Sequence, residues 1–217
     1  MNNLSMAFEQ FIDTGDFLSI TRQFEKSITY QCNFALPNAK VSLLDTGVLV
    51  VEPKVIDSST KDIVISSGIH GNETAPIEIV NRLVRAIIQD EIQVKNRTLF
   101  IIGNPVAMNI SKRFEVENLN RLFCGKYKNI VDCYEKERAE KLEQYVGDFY
   151  RHKGSHNSRK YHYDLHTAIR ESKYEKFAIY PFQDKTPWDK CQLEFLLACG
   201  VNTILFGHAP SGTFYYF

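Results

Sequence analysis

Along this chain the apolar residues switch between a spacing of two and a spacing of three to four, and each switch marks an element. Residues 40–44 and 48–51 flank Asp45-Thr46-Gly47, which predicts a β-hairpin with glycine at the turn position that tolerates positive φ. Ile63-Val64-Ile65 reads as a short buried strand running into Ser66-Ser67-Gly68-Ile69-His70-Gly71-Asn72-Glu73. A helix follows, with Thr74 as its N-cap and Pro76 in its first turn. Val80, Leu83, Val84, Ile87 and Ile88 form its apolar stripe. Residues 98–102 are the next strand, closed by Gly103-Asn104-Pro105. Strand, helix and strand in so short a span make a βαβ unit, hence a parallel pair with a right-handed crossover.

Residues 106–131 show no clean period and read as a long functional loop. A helix over 134–151 turns Leu142, Tyr145, Val146 and Phe149 inward. Residues 161–166, 177–180 and 203–206 read as strands, and 187–199 as a helix. The first 40 residues look polar and irregular, anchored by Phe8, Phe11, Phe17 and Phe24. The order predicts an α/β protein with a mixed, largely parallel sheet flanked by helices. Residues 1–39 are expected to pack on a domain spanning 40–217. The aromatic end Phe214-Tyr215-Tyr216-Phe217 lacks a polar taper, which suggests a domain cut short.

Composition narrows the function classes. Hydrophobic residues make up 44% of the 217 and aromatics 12%, enough for a buried core, so bulk disorder is excluded. Lys plus Arg and Asp plus Glu both number 26, and a chain without net charge has no global field for a polyanion. Nucleic acid and anionic membrane are therefore poor partners. Cys32, Cys124, Cys133, Cys191 and Cys199 are scattered, the N-terminus has no secretory pattern, and no run approaches the roughly 18 apolar residues of a membrane span. The expectation is a reduced, soluble, cytoplasmic protein.

Three constellations can carry chemistry. His70 and Glu73 stand three apart where a parallel strand hands over to a helix, so both can face one point and ligate a metal. The plainer alternative is a polar turn. Asp164 and His166 share a face at the end of a strand, so His166 can complete a His, Glu, His set while Asp164 orients an imidazole. A merely solvated His166 is the alternative. His162 and His166 also fit helical spacing, but Tyr161 and Tyr163 favour strand. Arg113 and Arg121 lie in the long loop, suited to grip carboxylates or a developing oxyanion, or else to pair with Glu115 and Glu117 on the surface. His152, His156 and His208 read as loop residues.

Taken together, these blocks resemble the succinylglutamate desuccinylase/aspartoacylase family, zinc hydrolases with a carboxypeptidase-like fold. The resemblance rests on His70-Gly71-Asn72-Glu73, Asn104-Pro105-Val106-Ala107, Arg113 with Leu119-Asn120-Arg121, and Asp164-Leu165-His166-Thr167-Ala168, in that order. It runs from about residue 40 to the end, and residues 164–170 and 206–214 look more like the desuccinylase branch.

The resemblance implies one zinc ion per chain on His70, Glu73 and His166, with Arg113 facing the scissile carbonyl oxygen. It implies that Asn120 and Arg121 hold a substrate carboxylate, with Arg170 as a further substrate contact. The implied partner is a small acidic N-acyl amino acid. The implied reaction is hydrolysis of N-succinyl-L-glutamate to L-glutamate and succinate, a step of arginine catabolism. The family's general base, a glutamate in a downstream Leu-Glu segment, would fall after Phe217, as would the family's C-terminal β domain. Glu171 and Glu175 do not match that segment. The expectation for the 217-residue chain is therefore a metal site with little activity. An aspartoacylase, a carboxypeptidase-like hydrolase and a non-catalytic zinc-binding module are the alternatives.

Overall fold

Strand residues alternate between two cores, and that alternation explains the layering. A computed structural model describes residues 3–28, 30–151, 159–168, 171, 173–184, 187–209 and 211–214. The hairpin forms as expected, with β2 at Ala39–Asp45 and β3 at Val48–Pro53 in antiparallel register. Gly47 turns it at φ 63°, and a Cβ there would stand 2.3 Å from the Ile102 carbonyl oxygen, so only glycine fits. β4 (Asp62–Ser67) and β5 (Arg97–Ile102) are parallel, joined by α3 (Thr74–Ile88). β6 (Lys160–Asp164) lies parallel to β4 on its other side. With β1 (Cys32–Ala35) on the far edge, the six-stranded sheet runs β1-β2-β3-β5-β4-β6. It is mixed: β1, β2, β3 and β5 pair antiparallel, while β5, β4 and β6 are parallel.

Leu49 and Val51 of β3, and Phe100 and Ile102 of β5, face one core with Val80, Val84 and Ile88 of α3. Val48, Val50, Leu99 and Ile101 face the other, with Leu142, Val146 and Phe149 of α5 (Tyr134–Arg151). A sheet covered on both faces reads as unbroken apolar runs, as Leu99-Phe100-Ile101-Ile102 of β5 does. Leu83 and Tyr145 are half-buried at the margins of these cores.

The first 40 residues are not irregular. They form α1 (Asn3–Thr14), α2 (Phe17–Gln23) and β1. Leu4, Ala7, Phe8 and Phe11 recur at helical spacing, and that stripe packs into the core beside α3. Of the four expected anchors, Phe11 and Phe17 are fully buried and Phe8 and Phe24 partly so. The stretch 106–131 also holds short helices, among them α4 (Pro105–Asn109) and the 3₁₀ turns Leu119–Arg121 and Lys126–Asn129. Beyond β6, β7 (Ala178–Tyr180) and β8 (Ile204–Phe206) form a separate parallel pair, with α6 (Lys190–Ala198) between them in sequence. All five cysteines carry free thiols. Among the described residues, no helix is long and apolar enough to cross a membrane.

Candidate metal centre

The register of the parallel strands decides where the site forms. Ser66 of β4 pairs with Asp164 of β6, so the turns leaving both strands emerge side by side at their carboxyl ends. His70 and Glu73 lie on the turn after β4, and His166 lies two residues past β6. Donor atoms of these three residues all stand within 4.8 Å of one another. Glu73 takes the cap position that sequence gave to Thr74, which is the first helical residue. Its side chain does not cap α3, because its carboxylate is committed to the site.

That commitment is extensive. His70 Nδ1 lies 3.0 Å from Glu73 Oε1, and His166 Nδ1 lies 2.9 Å from Oε2. Arg113 Nη1 donates to Oε1 at 2.8 Å and the Thr167 amide to Oε2 at 3.0 Å. Burial raises the Glu73 pKa, but the hydrogen bonds from His166, His70 and the Thr167 amide outweigh it and hold the carboxyl well below the usual range. For His166 burial disfavours charge, yet its bonds to Asp164 and Glu73 prevail and push its pKa up to about 10 without metal.

The remaining imidazole nitrogens fix which way each ring faces. His166 Nε2 donates to Asp164 Oδ2 at 2.8 Å, and His70 Nε2 donates to Asn118 Oδ1 at 3.0 Å. Asn118 Oδ1 also accepts the Asn120 amide, which identifies that atom as the oxygen. Both rings are thus held with Nδ1 turned inward, and the two Nδ1 atoms are only 3.2 Å apart. Two nitrogens so placed share one proton at most. Ligands about 2 Å from a tetrahedral metal stand roughly 3.3 Å apart, close to the spacings here. A His₂Glu donor set with oriented rings therefore fits a zinc-like cation, and each ring has the oxygen partner that orienting shells supply.

Support extends behind Asp164. Ser66 Oγ donates to Asp164 Oδ1 at 2.6 Å and lies 2.9 Å from His162 Nε2. Burial pushes the His162 pKa down to about 4, so this ring is neutral, and its enclosed Nδ1 has no hydrogen-bond partner among the described residues.

The structure brings His70, Glu73, His166, Asp164 and Arg113 together. Arg113 pairs with Glu73 rather than with Glu115 or Glu117. Asn120 is buried, and its Oδ1 accepts the Phe214 amide at 3.0 Å. Arg121 Nη1 donates to the Asn120 carbonyl at 2.8 Å. His208 is exposed on the bend after β8, outside the donor cluster. Arg170, His152 and His156 lie outside the described residues. Sequence reasoning missed Asn118, Ser66 and His162; Asn118 sits between the two arginines of the loop, but its role depends on where His70 Nε2 points, which spacing does not encode.

Residues 59–217 match the model of the succinylglutamate desuccinylase/aspartoacylase catalytic domain. The chain is 48% identical over 204 residues to a succinylglutamate desuccinylase of Idiomarina loihiensis, covering 93% of this chain and 59% of that protein. It is 47% identical over 215 residues to one of Shewanella pealeana, covering 97% of this chain and 61% of that protein. The chain thus spans about three-fifths of the length of these curated relatives. The crystal structure of a succinylglutamate desuccinylase from Vibrio parahaemolyticus matches with a TM-score of 0.83 at 35% identity, over 92% of this chain and 67% of that one.

Proposed function

Because the chain belongs to the succinylglutamate desuccinylase/aspartoacylase family, we propose that His70, Glu73 and His166 bind one zinc ion in a protein that hydrolyses the amide of N-succinyl-L-glutamate. The observation that carries this reading is the convergence of three donors at the ends of β4 and β6, with both imidazoles locked by oxygen acceptors. When bound there, zinc supplies Lewis acidity toward an amide carbonyl and toward water. The relatives, named as succinylglutamate desuccinylases, supply the substrate.

The chain's own residues divide the remaining work. Asp164 holds the His166 ring with its Nδ1 lone pair toward the metal position. Arg113, whose guanidinium already reaches Glu73, stabilises negative charge developing on the carbonyl oxygen. Loss of one such donor typically costs about 3 kcal/mol in the barrier, roughly a hundredfold in rate. Asn120 spends its oxygen on Phe214, so its Nδ2 is the end that donates to a substrate carboxylate, beside the Arg121 guanidinium. Arg170 is assigned to the substrate as well.

Neither described carboxylate at the centre suits proton abstraction. Glu73 is engaged by two imidazoles and Arg113, and Asp164 by Ser66 and His166. We assign the base, as the family resemblance implies, to a glutamate segment that would follow Phe217, and the engagement of these two carboxylates supports that reading. The same reading carries a place in arginine catabolism and in the cytoplasm.

Calorimetric titration of the zinc-loaded chain with N-succinyl-L-glutamate, N-acetyl-L-aspartate and a short peptide tests the substrate. Tightest binding of the succinyl compound, weakened in Arg121→Ala, is expected. Preference for the aspartate derivative or the peptide would overturn the substrate assignment. Turnover by this chain at a longer relative's rate would mean that the base lies within these residues.

A further inference from the structure

The loop that delivers Arg113 has no regular structure from Ser111 to Asn118, yet its guanidinium must sit within reach of Glu73. Something has to fix it. Two of the loop's anchors lie at Arg113 itself and just beyond it. The Arg113 carbonyl accepts the Gly71 amide at 3.2 Å, inside the turn that carries His70 and Glu73. Two residues on, the consecutive amides of Glu115, Val116 and Glu117 converge on one side chain, the carboxylate of Glu135.

Glu135 stands in the first turn of α5 and is fully buried. Its Oε1 accepts from the Glu115 amide at 2.7 Å and from Asn104 Nδ2 at 3.2 Å. Its Oε2 accepts from the amides of Val116 at 3.4 Å and Glu117 at 3.5 Å. Successive main-chain N–H groups aimed at one point form an anion-binding nest, and here the protein fills it with its own carboxylate. Asn104 links the same group to α4, since its Oδ1 caps that helix at the Ala107 amide. α4 in turn packs against Gly71 so closely that a Cβ there would meet Met108 N at 2.2 Å. One carboxylate therefore ties the arginine loop, the α4 turn and the ligand turn into one frame. A fully buried carboxylate is costly unless its acceptor positions are filled, and a surface loop alone needs no such group.

We propose that Glu135 is a positioning residue for Arg113, rigidifying residues 113–117 so that the guanidinium meets the substrate's developing oxyanion. Asn120 and Arg121 have holds of their own in their 3₁₀ turn, since Asn118 Oδ1 accepts the Asn120 amide and Asn120 Oδ1 accepts the Phe214 amide. The inference rests on the proposed role of Arg113 and deepens it.

Two measurements on Glu135→Gln test it, with Glu135→Asp as a second variant should the amide impair folding. A glutamine offers one acceptor oxygen where three amides and Asn104 require two, and its NH₂ would confront an N–H. In the metal-free chain, hydrogen exchange at the amides of Glu115, Val116, Glu117 and Gly71 is expected to quicken at least tenfold while α3 keeps its protection. In the zinc-loaded chain, affinity for the tetrahedral phosphonamidate analogue of N-succinyl-L-glutamate is expected to fall at least tenfold. Affinity for N-succinyl-L-glutamate itself is expected to stay within about twofold, and the loss of analogue binding to vanish in an Arg113→Ala background. Unchanged exchange at these amides overturns the clamp. Equal losses of both ligands, or losses that add to those of Arg113→Ala, overturn the link to Arg113. If Arg113→Ala alone left analogue binding intact, the functional reading would fall while the exchange data still judged the clamp.

Discussion

Gly71 is the tightest point in the site, and replacing it with alanine has a calculable consequence. The added Cβ would stand 2.2 Å from Met108 N and 2.3 Å from Ala107 C, where ordinary contact begins near 3.4 Å. The ligand turn and α4 must then part by roughly 1.2 Å, and both partners are main chain, which cannot swing aside as a flexible side chain would. Metal–ligand distances tolerate only about 0.2 Å. His70 and Glu73 lie on either side of the displaced residue, whereas His166 is on another strand, so the three donors lose their common focus. Zinc affinity is expected to fall by on the order of a hundredfold, comparable to losing a ligand's orienting partner. Competition against a chromophoric chelator gives the affinity, and thermal unfolding of the metal-free variant shows whether the sheet survives. A folded Gly71→Ala protein with unchanged zinc affinity would refute the argument that this close approach sets the ligand geometry.

Other outcomes are equally specific. In Asp164→Asn the side chain can accept from only one of Ser66 and His166, so chelator competition should show zinc affinity about 10- to 100-fold weaker. In the metal-free chain the His166 pKa is raised from 6.5 to about 10, so its stabilising contribution is present below 6.5 and lost as pH rises through about 10. The depressed carboxyl of Glu73 acts in the opposite sense, contributing above its unfolded pKa and losing that contribution on acidification. Zinc requires neutral His166, so its affinity should climb about tenfold per pH unit from 7 to 9, with about one proton released per ion; a flat calorimetric profile would contradict this. Away from the site, a Cβ on Gly147 inside α5 would first meet the guanidinium of Arg151, the far end of a long side chain that can shift, so Gly147→Ala should stabilise the chain by about 0.5–1 kcal/mol in denaturant titration.

Legibility in the sequence followed the range of the interactions involved. β4, α3, β5 and α5 are readable because each carries an uninterrupted period over its own length, and His70, Glu73 and His166 are readable because they sit just past the carboxyl ends of β4 and β6. The N-terminal helices were missed because their polar faces are long and their stripe is carried by Leu4, Ala7, Phe8 and Phe11 rather than by a dense aliphatic run. By sequence, Glu135 is one more acid at a charged helix start. Its burial is set by amides of residues 115–117, which no period in the helix reports. Asn118, Ser66 and His162 were hidden for the same reason, since they act through an amide oxygen, a hydroxyl and a ring nitrogen whose partners are distant in sequence. The boundary of α3 shifted by one residue because Glu73, at the cap position, gives its carboxylate to the site instead of to the helix.

Zinc content by elemental analysis, on this chain and on His166→Ala after loading and desalting, decides whether these three side chains hold the metal. About one zinc per chain is expected, lost in the variant while its fold is retained. No zinc under metal-replete conditions, or a full equivalent still held without His166, would contradict it.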